Sequence, residues 1–260
     1  FFNYESAVDG RPLLSMKKGC AGFFTDEELA KGKGVVLTAE ETAPAPGVRA
    51  ADWKAPAPTG GTEAFDDAKM AALREGRYAA CFGPAFEGLP LTNPVGLPGG
   101  RMKLVDRVLE LSPNGGRYGL GSIQGEMDIH PDDWFLTCHF VDDMVMPGTL
   151  MYECCVHALR FFLLRMGWVA EQDDMRYEPI PGVASGLCCR GPVTPKTREV
   201  IYEVDLKEIG YRPEPYVLAD AMMYADGRAI LRMTNMSLQL PGLTRGRVEL
   251  PRADALGELD

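Results

Sequence analysis

"TLMYECCVHALRFFLLRMG", residues 149–167, is the stretch on which the fold turns. Almost every position is apolar, and the run is long enough for about five turns of helix. A helix apolar nearly all round belongs in an interior rather than on a surface. Arg160 and Arg165 interrupt its most apolar part, "LRFFLLRMGWV", which is too short and too charged to span a bilayer. One carboxylate, Glu153, stands in the second turn, fourteen residues after His139. A carboxylate on such a helix is costly to bury. It either lies on a polar edge, where Arg160 two turns on offers a structural partner, or is kept for chemistry.

The flanking sequence supplies strands. Upstream, "RMKLVDRVLELS" (101–112) alternates as a strand does and ends in the turn "PNGG"; "RYGLGSIQGEMDI" (117–129) is a second strand weakened by glycines, and "WFLTCHF" (134–140) a short third. Downstream, "ASGLCCRGPV", "REVIYEVDLKEIG", "YVLADAMMYADG" and "RAILRMTNMSLQL" all read as strands. Strands, one buried helix and then a meander of strands make an α+β chain, not an alternating α/β one. A sheet wrapped around a single long apolar helix is the hot-dog fold. The GxG in "GRYGLGSIQG" has no helix after it, so it reads as a glycine-weakened strand and not as a dinucleotide site.

The first residues point to a repeat. "DGRPLLSM" at 9–16 and "DGRAILRM" at 226–233 share Asp, Gly, Arg, Leu and Met in register, and each follows an alternating arm. Both read as hairpins turning at Asp-Gly. Residues 1–24 are therefore expected to be the closing hairpin of a preceding hot-dog unit, which makes the chain part of a tandem hot-dog array. Residues 25–76 are expected to hold a short helix, "TDEELAKG", with Thr25 and Glu28 as a capping box, then a Pro/Ala-rich surface linker at 38–63, then a helix at 64–76. Residues 77–245 would be the principal hot-dog domain, loop-rich at its start, and 246–260 a tail.

The 260-residue chain carries a net charge of -10 and has no long basic block, which argues against a nucleic-acid partner. A membrane location is likewise not expected. The seven cysteines include two adjacent pairs and no CxxC spacing, so free thiols in a reducing, cytoplasmic setting are expected. "HPDDWFLTCH" offers His130, Asp132, Asp133 and His139, but their spacing matches no common zinc pattern; no metal and no cofactor is expected.

The chemistry concentrates at "CHFVDDMVMPGTLMYE", residues 138–153. A glycine at a helix start lets a substrate come close to the backbone, and Gly148 would offer a free N–H at the positive end of the helix dipole. Such a donor suits the oxygen of a thioester carbonyl. This stretch resembles the His-Phe…Val-Met-Pro-Gly…Glu/Asp signature of the bacterial FabA-like 3-hydroxyacyl-ACP dehydratases. More narrowly, "LPGGRMKLVDRV", "DDWFLTCHF" and "MPGTLMYECCVHALRFFLLRMGW" are similar to the dehydratase domains of polyunsaturated fatty acid synthases, over roughly 80–245.

The resemblance implies a lyase that dehydrates 3-hydroxyacyl thioesters to 2-enoyl thioesters, with or without isomerisation, inside a multidomain synthase. It implies that His139 and Glu153 are the catalytic pair, that the Val145 carbonyl orients the imidazole and that Gly148 donates to the thioester oxygen. His157 departs from the glutamine that relatives often carry there, which leaves its role open, a hydrogen bond to Glu153 being the structural reading. It implies an acyl carrier protein bearing a phosphopantetheine-linked substrate as partner, and an adjacent hot-dog unit or a second copy that completes the acid–base pair. A hot-dog thioesterase and a non-catalytic hot-dog that only completes a neighbour's site are the alternatives.

Overall fold

The computed structural model describes residues 1–22, 24–51, 53, 55 and 57–249; the tail expected from 246 therefore lies, from residue 250 on, outside the described residues. The chain divides into two compact units, Phe1–Lys33 and the remainder from Gly34.

In the first unit, β1 (Phe2–Val8) and β2 (Arg11–Gly19) form an antiparallel two-stranded sheet. Asp9 and Gly10 turn it with φ of 50° and 75°. Two successive positive φ values are what a two-residue hairpin loop matching the strand twist requires. Helix α1 (Asp26–Lys31) follows, with the reciprocal capping bonds between Thr25 and Glu28.

The second unit opens with α2 (Ala39–Thr42), β3 (Val48–Arg49), β4 (Glu63–Phe65), α3 (Asp67–Arg74) and α4 (Tyr78–Phe82). It continues with β5 (Arg107–Ser112), β6 (Ser122–Asp128), α5 (Trp134–Cys138), α6 (Gly148–Met166), β7 (Gly186–Cys189), β8 (Glu199–Gly210), β9 (Tyr216–Ala225), β10 (Arg228–Gln239) and α7 (Arg245–Val248). The sheet runs β4-β5-β6-β8-β9-β10-β7, antiparallel between neighbours, with β3 added in parallel beside β8. Along β9 buried and half-buried residues alternate without a break, and most of β8 does the same, because only one face meets the core. The β9–β10 turn repeats the first unit's geometry, with Asp226 and Gly227 at φ of 45° and 79°.

Helix α6 lies across β6, β8, β9 and β10. Fourteen of its nineteen residues are buried, and Leu159, Phe161, Phe162 and Leu164 are completely so. Burying each such side chain contributes about 2 kcal/mol. The helix ends where Gly167, left-handed at φ 97°, turns its N–H back to the carbonyls of Leu163 and Leu164. Close approach to the sheet depends on small residues: a Cβ on Gly125 of β6 would stand 2.9 Å from the Tyr202 ring and 3.5 Å from the Ala158 Cβ. On another side, Phe161 packs edge-on against Phe65 (4.9 Å between centroids) and Phe82 (5.3 Å). An antiparallel sheet wrapped on one long buried helix is the hot-dog arrangement.

Three segments depart from expectation. Residues 134–138 form helix α5 and not a strand. Asp133 begins it, its carboxylate accepting from the His130 N–H at 2.8 Å, and the adjacent Phe135 and Leu136 are both buried, which five residues manage in one helical turn. The loop-rich start of the principal domain holds α4, whose Phe82 joins the aromatic cluster. The stretch 38–63 is a strap bonded to the sheet. Val35 N–H donates to Ala229 O, Glu41 pairs with Arg232, Ala45 and Gly47 donate to Arg117 O and Tyr118 O, and Ala57 N–H reaches Met166 O. Glu63 forms an ion pair with the buried Arg165 of α6, whose guanidinium also donates to Pro58 O. Pro/Ala composition is common to linkers and to extended straps, and only the distant backbone partners separate the two.

Candidate active site

The site is assembled from the loop after α5 and the first turns of α6. His139 follows α5, and the chain doubles back through Phe140–Asp143 to Val145. Phe140 N–H donates to Asp143 O at 2.7 Å and Val145 N–H to His139 O at 2.9 Å. The His139 side chain returns the bond: Nδ1 lies 2.9 Å from the Val145 carbonyl oxygen. A carbonyl only accepts, so in the neutral imidazole Nδ1 carries the proton and Nε2 presents its lone pair. The ring, half-buried, lies 3.9 Å from that of Phe140 between centroids, and the peptide joining the two residues is cis.

Met146 N–H donates to Val193 O, which ties the loop to the segment between β7 and β8 just before the helix. Pro147 caps α6, and its carbonyl takes the N–H of Leu150 and Met151. The Gly148 N–H, first in the helix, has no hydrogen-bond partner among the described residues. The space in front of Gly148 is open: an added Cβ would meet only Cys189 Sγ, at 3.4 Å. A free donor at a helix start, reachable past a glycine, can stabilise a developing oxyanion.

Glu153 is half-exposed, with 43% of its side chain accessible. Burial of the rest pushes its carboxyl upward, and the charge of Arg160 opposes this. His157, one turn further and only 3% exposed, has Nε2 at 3.8 Å from Glu153 Oε2, too far for a hydrogen bond. Burial, with Arg160 and Arg74 nearby, lowers its pKa to about 3, so His157 is neutral and the two do not form an ion pair. Among the described residues no hydrogen bond or ion pair joins His139 to Glu153. The chain thus joins His139 to Val145 by a hydrogen bond and sets His157 beside Glu153 without one.

The neighbouring thiols are poor nucleophiles: Cys154 and Cys155 are fully buried and their pKa values are pushed up by that burial. Among the described residues no group of three or more metal-donor side chains occurs, and no helix is long and apolar enough to cross a membrane. Two features escape a reading of the sequence. Cys189 approaches Gly148 from β7, forty-one residues away in the chain, and no local pattern announces that. Arg160 has no carboxylate partner among the described residues and instead lies over the Tyr177 ring; its spacing from Glu153 was the available signal.

Comparison with known proteins gives the family. The profile of the FabA-like domain matches residues 97–234. Over 224 residues the chain is 37% identical to one subunit of the polyunsaturated fatty acid synthase of Thraustochytrium sp., an alignment covering 85% of this chain and 15% of that protein. The chain therefore spans about a seventh of the length of that relative. Among solved structures, the dehydratase heterocomplex ApeI:P from Xenorhabdus doucetiae is similar at a TM-score of 0.40 and 14% identity, over 56% of this chain and 87% of that one. A hypothetical thioesterase with coenzyme A from Streptococcus pneumoniae gives 0.34 and 9%, over 47% and 80%. With the matched segment running from before β5 into β10 and including His139, Gly148 and Glu153, the chain belongs to the FabA-like family.

Proposed function

We propose that this chain dehydrates 3-hydroxyacyl thioesters to 2-enoyl thioesters. The observation that carries the reading is the His139–Val145 clamp, which fixes the imidazole with Nε2 as its free basic atom. In the proposed step Nε2 of His139 takes a proton from C2 of the substrate. The electron pair left on C2 forms the C2–C3 double bond as the C3–O bond breaks, and a protonated carboxyl gives its proton to the departing hydroxyl, which leaves as water. The Gly148 N–H stabilises the negative charge that gathers on the thioester oxygen. Imidazolium and carboxylate then return to their starting states by proton exchange with solvent.

In this reading the carboxyl comes from a second hot-dog unit, and Glu153 in turn serves the neighbour's histidine; among the described residues no hydrogen bond joins Glu153 to His139. Partial burial keeps a carboxyl protonated further up the pH scale, as an acid needs. The substrate arrives on the phosphopantetheine arm of an acyl carrier protein, in the cytoplasm, where seven free thiols are stable. The matching Asp-Gly turns of the two hairpins support reading β1–β2 as the closing hairpin of a preceding unit. The test is incubation with a 3-hydroxyacyl thioester and detection of the product lighter by one water. Turnover is expected in the wild type and lost in both His139→Ala and Glu153→Gln; wild-type turnover in either variant overturns the assignment. Release of free acid instead would mark a thioesterase.

A further inference from the structure

We propose that Arg160 is an electrostatic positioning residue for Glu153, acting along one face of α6 and not as half of a structural ion pair. The inference deepens the reading above and rests on it for its link to turnover. Seven residues separate the two, which is about 10 Å along the helix axis and only about 20° around it, so both stand on one face. Between them is His157, which is buried and neutral and adds no charge. Arg165, the other arginine of α6, is committed to Glu63. Arg160 alone on this helix has no carboxylate within 4.0 Å among the described residues.

Its surroundings hold the charge in place. The guanidinium carbon sits 4.3 Å from the centroid of the Tyr177 ring, and Nε is buried without a hydrogen-bond partner among the described residues. An arginine spread over an aromatic face is ordered and only weakly screened on that side. The groups facing this stripe are few. Tyr152 and Cys154 flank Glu153, each with its pKa raised by burial first and by the carboxylate second or later. Tyr177 packs from the segment after α6, its phenol pushed up to about 12 by burial. Arg74 of α3 lies toward His157. Tyr152, Cys154 and Tyr177 are therefore uncharged at neutral pH, which leaves Arg160 as the cation on the helix itself that opposes the effect of burial on Glu153.

The test reads Glu153 directly. Side-chain carboxyl carbons of carbon-13-labelled glutamate are titrated by NMR in the full chain, and the Glu153 signal is identified by its loss in Glu153→Gln. In Arg160→Gln and in Arg160→Met, which keeps an apolar stem against Tyr177, the Glu153 midpoint is expected to move up by roughly half a pH unit. In Arg160→Lys, which keeps the charge, it is expected to stay. An unmoved midpoint in a folded neutral variant overturns the proposal, and so does failure of both neutral variants to fold, which would assign Arg160 a structural role. The titration needs no turnover, so its outcome is separate from that of the dehydratase reading: full activity in Glu153→Gln would remove the reaction while leaving the electrostatic coupling measurable. Where both hold, the kcat/KM–pH profile moves upward with the Glu153 midpoint.

Discussion

Glu63→Gln tests how firmly the strap is bound to the central helix. Arg165 lies near the C-terminal end of α6 with 6% of its side chain exposed, and Glu63 on β4 takes bonds from both Nε and Nη2. Removing one member of a buried pair usually costs about 3–5 kcal/mol, because the remaining charge is left uncompensated. Two features reduce that here. Glu63 keeps 26% of its side chain in solvent, and Pro58 O continues to accept from Nη2. A glutamine carbonyl also still accepts one of the lost bonds. The expected loss is therefore about 2–3 kcal/mol, or about 4–12 °C in Tm for a unit of this size. Adding Arg165→Met removes the stranded charge together with Nη1, which already lacks a partner among the described residues. The double variant is expected to return to within about 1 kcal/mol of the wild type. Urea titration of the four proteins of the cycle is the assay. A loss below about 0.5 kcal/mol in the single variant, or a double variant no better than Glu63→Gln alone, would refute the argument.

Three further expectations follow from buried or close-packed groups. His157 has its folded pKa near 3 and is neutral in the core, so the folded state binds fewer protons than the unfolded one between about pH 6.5 and 3, and stability present above the unfolded pKa is lost as pH falls through that window. His157→Gln should flatten the acid decline by up to about 1.4 kcal/mol per pH unit, measured by denaturation at pH 6 and pH 5; an unchanged slope contradicts the buried neutral state. Gly121→Ala should cost more than about 2 kcal/mol by the same measurement, since φ is 124° and the new Cβ would stand 2.3 Å from the Phe162 ring. Gly148→Ala meets only Cys189 Sγ at 3.4 Å and should fold within about 1 kcal/mol of the wild type, yet lose roughly 10- to 100-fold in kcat/KM as its methyl crowds the thioester oxygen; undiminished turnover would place the substrate elsewhere.

Much of the architecture is legible because its signals are local. The nineteen-residue apolar run yields α6, alternation yields β6 and β8 to β10, and Thr25 with Glu28 marks α1. The candidate site is compact in sequence: His139, Val145, Gly148 and Glu153 lie within fifteen residues, and the resemblance carried by that stretch singles them out. What spacing cannot supply is partners from far along the chain. Thr38 and Glu41 repeat the capping box of α1, but inside a Pro/Ala-rich stretch their helix goes unnoticed, and its anchor, Arg232, is on β10. Helix α5 is too short to display a period, and Trp, Phe, Leu, Thr and Cys together favour a strand by propensity; burial of two adjacent side chains overrides it. Arg160 looks like a structural partner until the neutrality of His157 and the position of Tyr177 are known.

The strap also sets an order of events during synthesis. Its bonds join Val35 to Ala229 and Glu41 to Arg232, residues about two hundred positions apart. At a ribosomal rate of about 5–20 residues per second, roughly 10–40 s pass between the emergence of the strap and that of the strand that receives it. For most of that interval the edge that β8 offers to β3 is also unformed, because β8 itself is made late. The strap must wait as an open chain, and its composition suits the wait: proline and alanine give it few apolar side chains to stick elsewhere and little tendency to pair as a strand with the wrong partner. The feature that disguises the segment as a linker is thus the one that lets it remain unattached until its docking site exists.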